Sequence, residues 1–100
     1  DIRFKENINP IENALFKIKS LKGVEFDWKD EYKNKGHDIG FIAQEVEKVI
    51  PEVVETTKGF INTGEDMNRK TIAYPKLIPY LVDTIKELKK RIEELEKKVK

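Results

Sequence analysis

Residues 78–99 read I-P-Y-L-V-D-T-I-K-E-L-K-K-R-I-E-E-L-E-K-K-V, and within them Ile78, Leu81, Ile85, Leu88, Ile92, Leu95 and Val99 recur at spacings of 3, 4, 3, 4, 3 and 4. That is a 3.5-residue repeat, with Ile78, Ile85, Ile92 and Val99 at position a and Leu81, Leu88 and Leu95 at d. Past Leu88 every other residue is Lys, Arg or Glu. A helix that folds back on its own domain carries a wider apolar face than this single line. Leu77 and Val82 widen the stripe only near its start, where the helix still touches a body. The spacing therefore predicts a seam that other copies of the chain cover. Glu87–Arg91, Glu93–Lys97 and Glu94–Lys98 stand at i,i+4 in the favourable order, each contributing about 0.2–0.5 kcal/mol to the single helix. β-branched residues at a with Leu at d favour two strands by the heptad rule alone, although the rest of the chain can impose another symmetry.

Working back towards the N-terminus, Pro75 opens this helix and Pro79 falls early enough to be tolerated. The 26 residues 75–100 would reach about 39 Å. A body made of the residues before them has a radius of gyration of only about 11 Å. The expected architecture is α+β: a body of short helices and short antiparallel strands over residues 1–74, then a long C-terminal helix over 75–100 forming an intersubunit coiled coil, the two acting as one module.

Within the body, Asn9, Pro10 and Glu12 make a helix-start signal. Ile11, Ala14, Leu15 and Ile18 follow at helical spacing, so a helix is predicted over 10–20, with Gly23 beyond it. Val24, Phe26 and Trp28 alternate with Glu25, Asp27 and Lys29, the period of a half-buried strand. Residues 29–36 read as a turn, and Ile39, Phe41 and Ile42 as a return segment. Ala43, Val46, Val49 and Ile50 mark a second helix that Pro51 ends. Val53–Thr57 and Phe60–Thr63 flank Lys58-Gly59, predicting a tight hairpin there. A further turn is expected over Gly64–Asn68 and a short strand over Thr71–Ala73. Phe26, Trp28 and Phe41 are expected in the core.

Composition narrows the functional classes. The chain is 38% hydrophobic and 39% charged, a thin apolar share for a domain of one hundred residues, which is hard to stabilise alone. It has no cysteine, so neither disulfides nor thiolate chemistry is available. Twenty Lys and Arg against nineteen Asp and Glu leave +1, without the basic bias of a nucleic-acid binder. No apolar run approaches membrane-spanning length, and no signal-peptide pattern is present. No metal, cofactor, nucleic-acid or membrane partner is expected. His37 beside Asp38 reads as a loop-end residue rather than a proton relay. Glu45 and Glu47, at i and i+2, do not share a helix face, so a two-carboxylate hydrolase is not indicated. Gly59 and Gly64 are too isolated for a phosphate loop.

Five stretches, in this order, carry a resemblance: D-I-R-F-K-E-N-I from Asp1, I-E-N-A-L from Ile11, V-E-F-D-W from Val24, I-G-F-I-A-Q-E-V from Ile39 and Y-P-K-L-I-P-Y-L-V from Tyr74. Together the chain resembles the S74 peptidase family, the C-terminal intramolecular chaperone domains of phage tail spikes, tail fibres and neck appendages. The same module occurs in an animal membrane-bound transcription factor of the myelin regulatory type. The resemblance runs from Asp1 to about Leu95. It implies a homotrimer that guides folding of the upstream fibre or spike domain of the same polypeptide, then cuts itself off. The implied setting is the host cytoplasm during virion assembly, with the module released from, or attached to, the tail or neck fibre.

The resemblance also implies cleavage just before the serine of a Ser-Asp-x-Arg-x-Lys motif by a Ser/Lys dyad. Asp1 and Arg3 fit the motif and Lys5 would be the base. The serine would stand immediately before Asp1, so the printed chain lacks its nucleophile and cannot itself cut. Gln44 is a further candidate for a hydrogen bond near the cleavage point. Lysine with a pKa of about 10.4 is neutral in only about one molecule in 2,500 at pH 7, and lowering it to about 7 takes about 5 kcal/mol. Desolvation at a subunit contact would supply that, which would make assembly the switch for cleavage. The alternative reading is a structural oligomerisation cap without chemistry, and the residue preceding Asp1 separates the two. A basic-zipper reading fails, because no basic helix precedes the heptads.

Overall fold

The computed structural model describes residues 1–29, 36–60 and 66–99. Along these runs α1 (Ala14–Ile18), β1 (Val24–Asp27), β2 (His37–Gly40), α2 (Ala43–Val49), β3 (Val54–Phe60), β4 (Asp66–Ile72) and α3 (Ile78–Val99). Single 3-10 turns occupy Ile2–Phe4, Pro51–Val53 and Tyr74–Leu77. The fold is α+β, as expected, with two separate antiparallel hairpins, β1–β2 and β3–β4. Its radius of gyration is 18.4 Å and its extents are 64 × 37 × 22 Å. A compact chain of this length would have a radius near 13 Å, so the chain is elongated.

Pro75 falls in the 3-10 turn and Pro79 in the first turn of α3, where a missing N–H costs nothing because those donors have no intrahelical partner. The body packs on one side of this helix only. Leu77, Tyr80 and Thr84 are buried against α1 and the core, whose other members are Ala14, Val46, Ile50 and Val53. The Tyr80 hydroxyl donates to the Glu52 carboxylate at 3.1 Å. Burial first, and that carboxylate second, raise the Tyr80 pKa above its ordinary value.

In the β1–β2 hairpin Val24 pairs with Gly40 and Asp27 with His37, and the Trp28 N–H donates to the Gly36 carbonyl at 2.9 Å. The alternation along β1 is as the sequence predicts, with Val24 and Phe26 half-buried and Glu25 and Asp27 exposed. Tyr74 ties this hairpin to the root of α3. Its hydroxyl accepts the Phe41 N–H at 3.1 Å, its ring stacks on Phe41, and it fits because residue 40 has no Cβ; one built there would lie 2.6 Å from the hydroxyl.

Two expectations need correction. The helix predicted over 10–20 is only Ala14–Ile18. Asn9 uses its side-chain amide to donate to the Asn7 carbonyl at 3.0 Å instead of capping a helix. Asn13, at φ +57°, makes a left-handed turn just before α1, a conformation that asparagine tolerates better than most residues. The apolar face was read correctly, since Ala14 is in the core and Ile11 and Ile18 pack against it. The second correction concerns Lys58-Gly59. These residues are not a turn but part of β3, paired with Asn68 and Met67. The strands run on to Phe60 opposite Asp66; positions 61–65, and most of the turn predicted over 29–36, lie outside the described residues.

Candidate functional site

The candidate cleavage motif occupies the N-terminal segment. Asp1 accepts the backbone N–H of Arg3 at 2.9 Å and so caps the 3-10 turn Ile2–Phe4. Its carboxylate also takes a two-pronged contact from the Arg3 guanidinium, with Nε at 3.0 Å. Both nitrogens bond the same oxygen, Oδ2, while Oδ1 takes the Arg3 N–H, and together these bonds set the two motif residues relative to each other. The guanidinium carbon stands 5.7 Å from the centre of the Phe4 ring. Lys5 follows in extended conformation (φ −123°, ψ 144°). It is exposed, as are Ile2, Ile8 and, at 84%, Phe4. The chain's own body supplies none of the burial that would turn a lysine into a base. Gln44 is not brought to this segment. It lies on α2, at the edge of a groove of about 560 Å³.

That groove is where the aromatic residues of the first hairpin lie. Phe26 and Trp28 meet edge to face at 5.2 Å, and with Ile39, Phe41, Ile42 and Tyr74 they line a concavity between the two hairpins. Trp28 is thus partly open where a core position was expected. The strand periodicity showed which side it faces, but nothing local to the sequence shows that the opposite wall stands away from it.

His37 opens β2 and is exposed. Its Nδ1 is 2.7 Å from Asp27 and its Nε2 3.2 Å from Glu25. Those two hydrogen bonds, Asp27 first, raise its pKa above the ordinary 6.5. The imidazole bridges the two carboxylates across the hairpin. Glu47 is taken by Lys70 at 2.7 Å. Among the described residues there is no cluster of three metal-binding side chains, and no helix is long and apolar enough to cross a membrane.

The heptad residues lie exposed on α3. Ile78, Leu81, Ile85, Leu88, Ile92, Leu95 and Val99 are between 44% and 86% exposed. They lie roughly a quarter-turn round α3 from the face that Leu77, Tyr80 and Thr84 present to the body. Among the described residues sixteen large apolar side chains are exposed while six apolar residues form the buried core. Of the helix ion pairs, Arg91 Nε meets Glu87 at 3.1 Å, while Glu93 is approached by Lys89 at 3.8 Å.

The class defined by this geometry is a small two-hairpin α+β module on a projecting helix with an open apolar seam. Residues 1–55 match the family model Peptidase_S74, chaperone of endosialidase, and the chain belongs to that family. It is also similar to the long tail fiber protein Gp37 of Enterobacteria phage K3, 38% identical over 102 residues, covering 99% of this chain and 8% of that protein. The Gp37 of Enterobacteria phage T2 is likewise 38% identical, with 99% of this chain and 7% of that protein covered. The chain thus spans less than a tenth of the length of these relatives.

Proposed function

We propose that this chain is the assembly chaperone of a phage tail fibre, acting as a homotrimer on the fibre portion of its own polypeptide and then released by autoproteolysis. In this reading residues 1–74 are the body and 75–100 the coiled-coil helix. The observation that carries it is the seam: seven heptad residues on one line of α3, all exposed in the single chain. Burying such side chains is favourable by about 1.5–3 kcal/mol each, and other copies of the chain present a matching line. The family and the likeness to long tail fiber proteins support a fibre as partner, and in this reading the setting is the infected host cell.

Cleavage would use a serine immediately before Asp1, with Lys5 as base. The neutral amine takes the hydroxyl proton as the oxygen attacks the carbonyl of the preceding residue, the C–N bond breaks as the proton passes to the leaving amine, and water then hydrolyses the ester. Asp1 and Arg3, locked to each other, would hold the backbone between the two groups. Lys5 is exposed in the single chain, so its desolvation falls to the assembled state, and cutting follows trimerisation. A non-catalytic oligomerisation cap would display the same seam. Expression of a precursor with its upstream region separates the readings. Two products, with a new N-terminus one residue before Asp1, are expected. Loss of the cut on Lys5→Met, and on placing Lys at both Ile85 and Ile92, should follow. Efficient cutting by monomers would refute the assembly switch, and an uncut trimer would establish the cap.

A further inference from the structure

Outside α3 the exposed large apolar residues fall into two groups. Ile2, Phe4 and Ile8 belong to the N-terminal segment, whereas Trp28, Ile39, Ile42 and Tyr74 line the groove between the hairpins. Among the described residues outside α3, Phe16 alone belongs to neither group. The groove encloses about 560 Å³, lined by the Phe26–Trp28 pair from the first hairpin and by Arg69 of β4 from the second. Its own chain covers neither surface: Phe4 is 84% exposed and Ile39 72%. Charge follows the same division. Lys5 is extended, so the side chains on either side of it, Phe4 and Glu6, point the same way. Among the described residues Glu6 meets no cation and Arg69 no carboxylate within 4.0 Å.

We infer that Phe4 of one copy seats in the aromatic groove of a neighbouring copy, with Glu6 against Arg69. Each cleavage segment is then held by a surface that its own chain does not bring to it. The inference rests on the assembly proposed above and names what completes its cleavage site. A covered phenylalanine removes about 150–250 Å² of surface from water, and aromatic rings offer it edge-to-face partners besides. Glu6, on the same side of the extended segment, reaches the β4 wall where Arg69 supplies the opposite charge. Phe4 directly precedes Lys5, so seating its ring draws the lysine onto the neighbour's surface and away from water. Phe4 is in this role a positioning residue, which holds the segment while Lys5 acts.

The chain has one tryptophan and no cysteine, which gives two direct readouts. Phe4→Cys chains mixed with mass-tagged Ile39→Cys chains should form a disulfide between the two kinds. Seating brings these residues within about 7 Å between Cα atoms, the reach of that bond. Glu6→Arg on the first chain should weaken the cross-link, and Arg69→Glu on the second should recover it. Trp28 emission should shift to the blue as the parent assembles, and Phe4→Ser should abolish the shift while sedimentation still finds the oligomer. In the precursor Phe4→Ser should slow cutting about a hundredfold and move its pH dependence upward, and Phe4→Leu should restore both. Efficient cutting by Phe4→Ser overturns the inference, as does an oligomer with neither the mixed disulfide nor the Trp28 shift. So does a disulfide formed at high dilution within single chains carrying both cysteines, which would put the ring in its own groove. Trp28 shielded only in the precursor would give the groove to the fibre portion instead, and also overturns it. A parent that sediments as a monomer throughout removes the assembly reading as well. A parent precursor left uncut removes the dyad alone, and the cross-link still decides the seating.

Discussion

Replacing Ile85 and Ile92 together by Ala tests the seam with little collateral damage to the single chain. In the isolated fold these side chains are 65% and 55% exposed, so neither contributes much to it, and Ala is the better helix former. In an assembly both would be covered. Full burial of an isoleucine is favourable by about 1.5–3 kcal/mol, and scaling by the exposed fraction leaves about 1–2 kcal/mol for each. The alanine methyl retains part of that, so each substitution removes about 1 kcal/mol per copy, or about 6 kcal/mol over three copies. For a monomer–trimer equilibrium the midpoint concentration follows the square root of the dissociation constant. The midpoint should therefore rise by about a hundredfold. Sedimentation equilibrium over a wide loading range measures it, and circular dichroism at high concentration checks that helix content persists. An unchanged midpoint with an intact fold would show that these residues do not form the interface.

Three further outcomes test the body and the site. Gly40→Ala should destabilise the fold by about 1 kcal/mol, because its methyl crowds the Tyr74 hydroxyl at 2.6 Å; in a Tyr74→Phe background the cost should shrink, and urea unfolding of the four variants gives the coupling. His37 has a raised folded pKa through its bonds to Asp27 and Glu25, so its contribution is complete below its unfolded value and is lost as pH rises through the folded one. Stability measured from about pH 5.5 to 8.5 should therefore fall more with rising pH in the parent than in His37→Gln, and parallel curves would refute that contribution. Leu77→Ala should cost about 2–5 kcal/mol in thermal or urea unfolding, since that side chain joins α3 to the core.

Periodicity made the long helix and its seam legible, because a heptad is a property of residue types and spacing alone. The same logic located β1 and α2, each a short run whose apolar period matches its element. It failed where a side chain had two uses. Asn9 has the chemistry of a cap, yet its amide bonds to a nearby carbonyl, and the left-handed residue is Asn13. Lys58-Gly59 has the residue types of a hairpin turn, but the register of β3 on β4 is set by Val54 opposite Ile72 and carries the pairing straight through it. The cleavage motif is a different case. Asp1, Arg3 and Lys5 were legible only by resemblance, since no period or spacing distinguishes Lys5 from other lysines. The Asp1–Arg3 contact is what geometry adds.

In the single chain α3 has one apolar face covered by the body and another left exposed. Leu77, Tyr80 and Thr84 commit one face to the body, and that commitment turns the seam away from it, so the fold that orders the helix is also what exposes the heptads. The core joined to it is small, with only Val46, Ile50 and Val53 almost wholly enclosed among the described residues, and a domain of this size gains little stability by itself. Association of copies would therefore strengthen each body as well as join them, because stability rises with whatever binds the folded form. The N-terminal segment sits at the other end of this coupling. Phe4 and Lys5 are exposed while the chain is single, so in the proposed dyad Lys5 would be desolvated only in the assembly. Folding of the body, closure of the seam and activation of Lys5 would then occur in that order, each step supplying the surface that the next one requires.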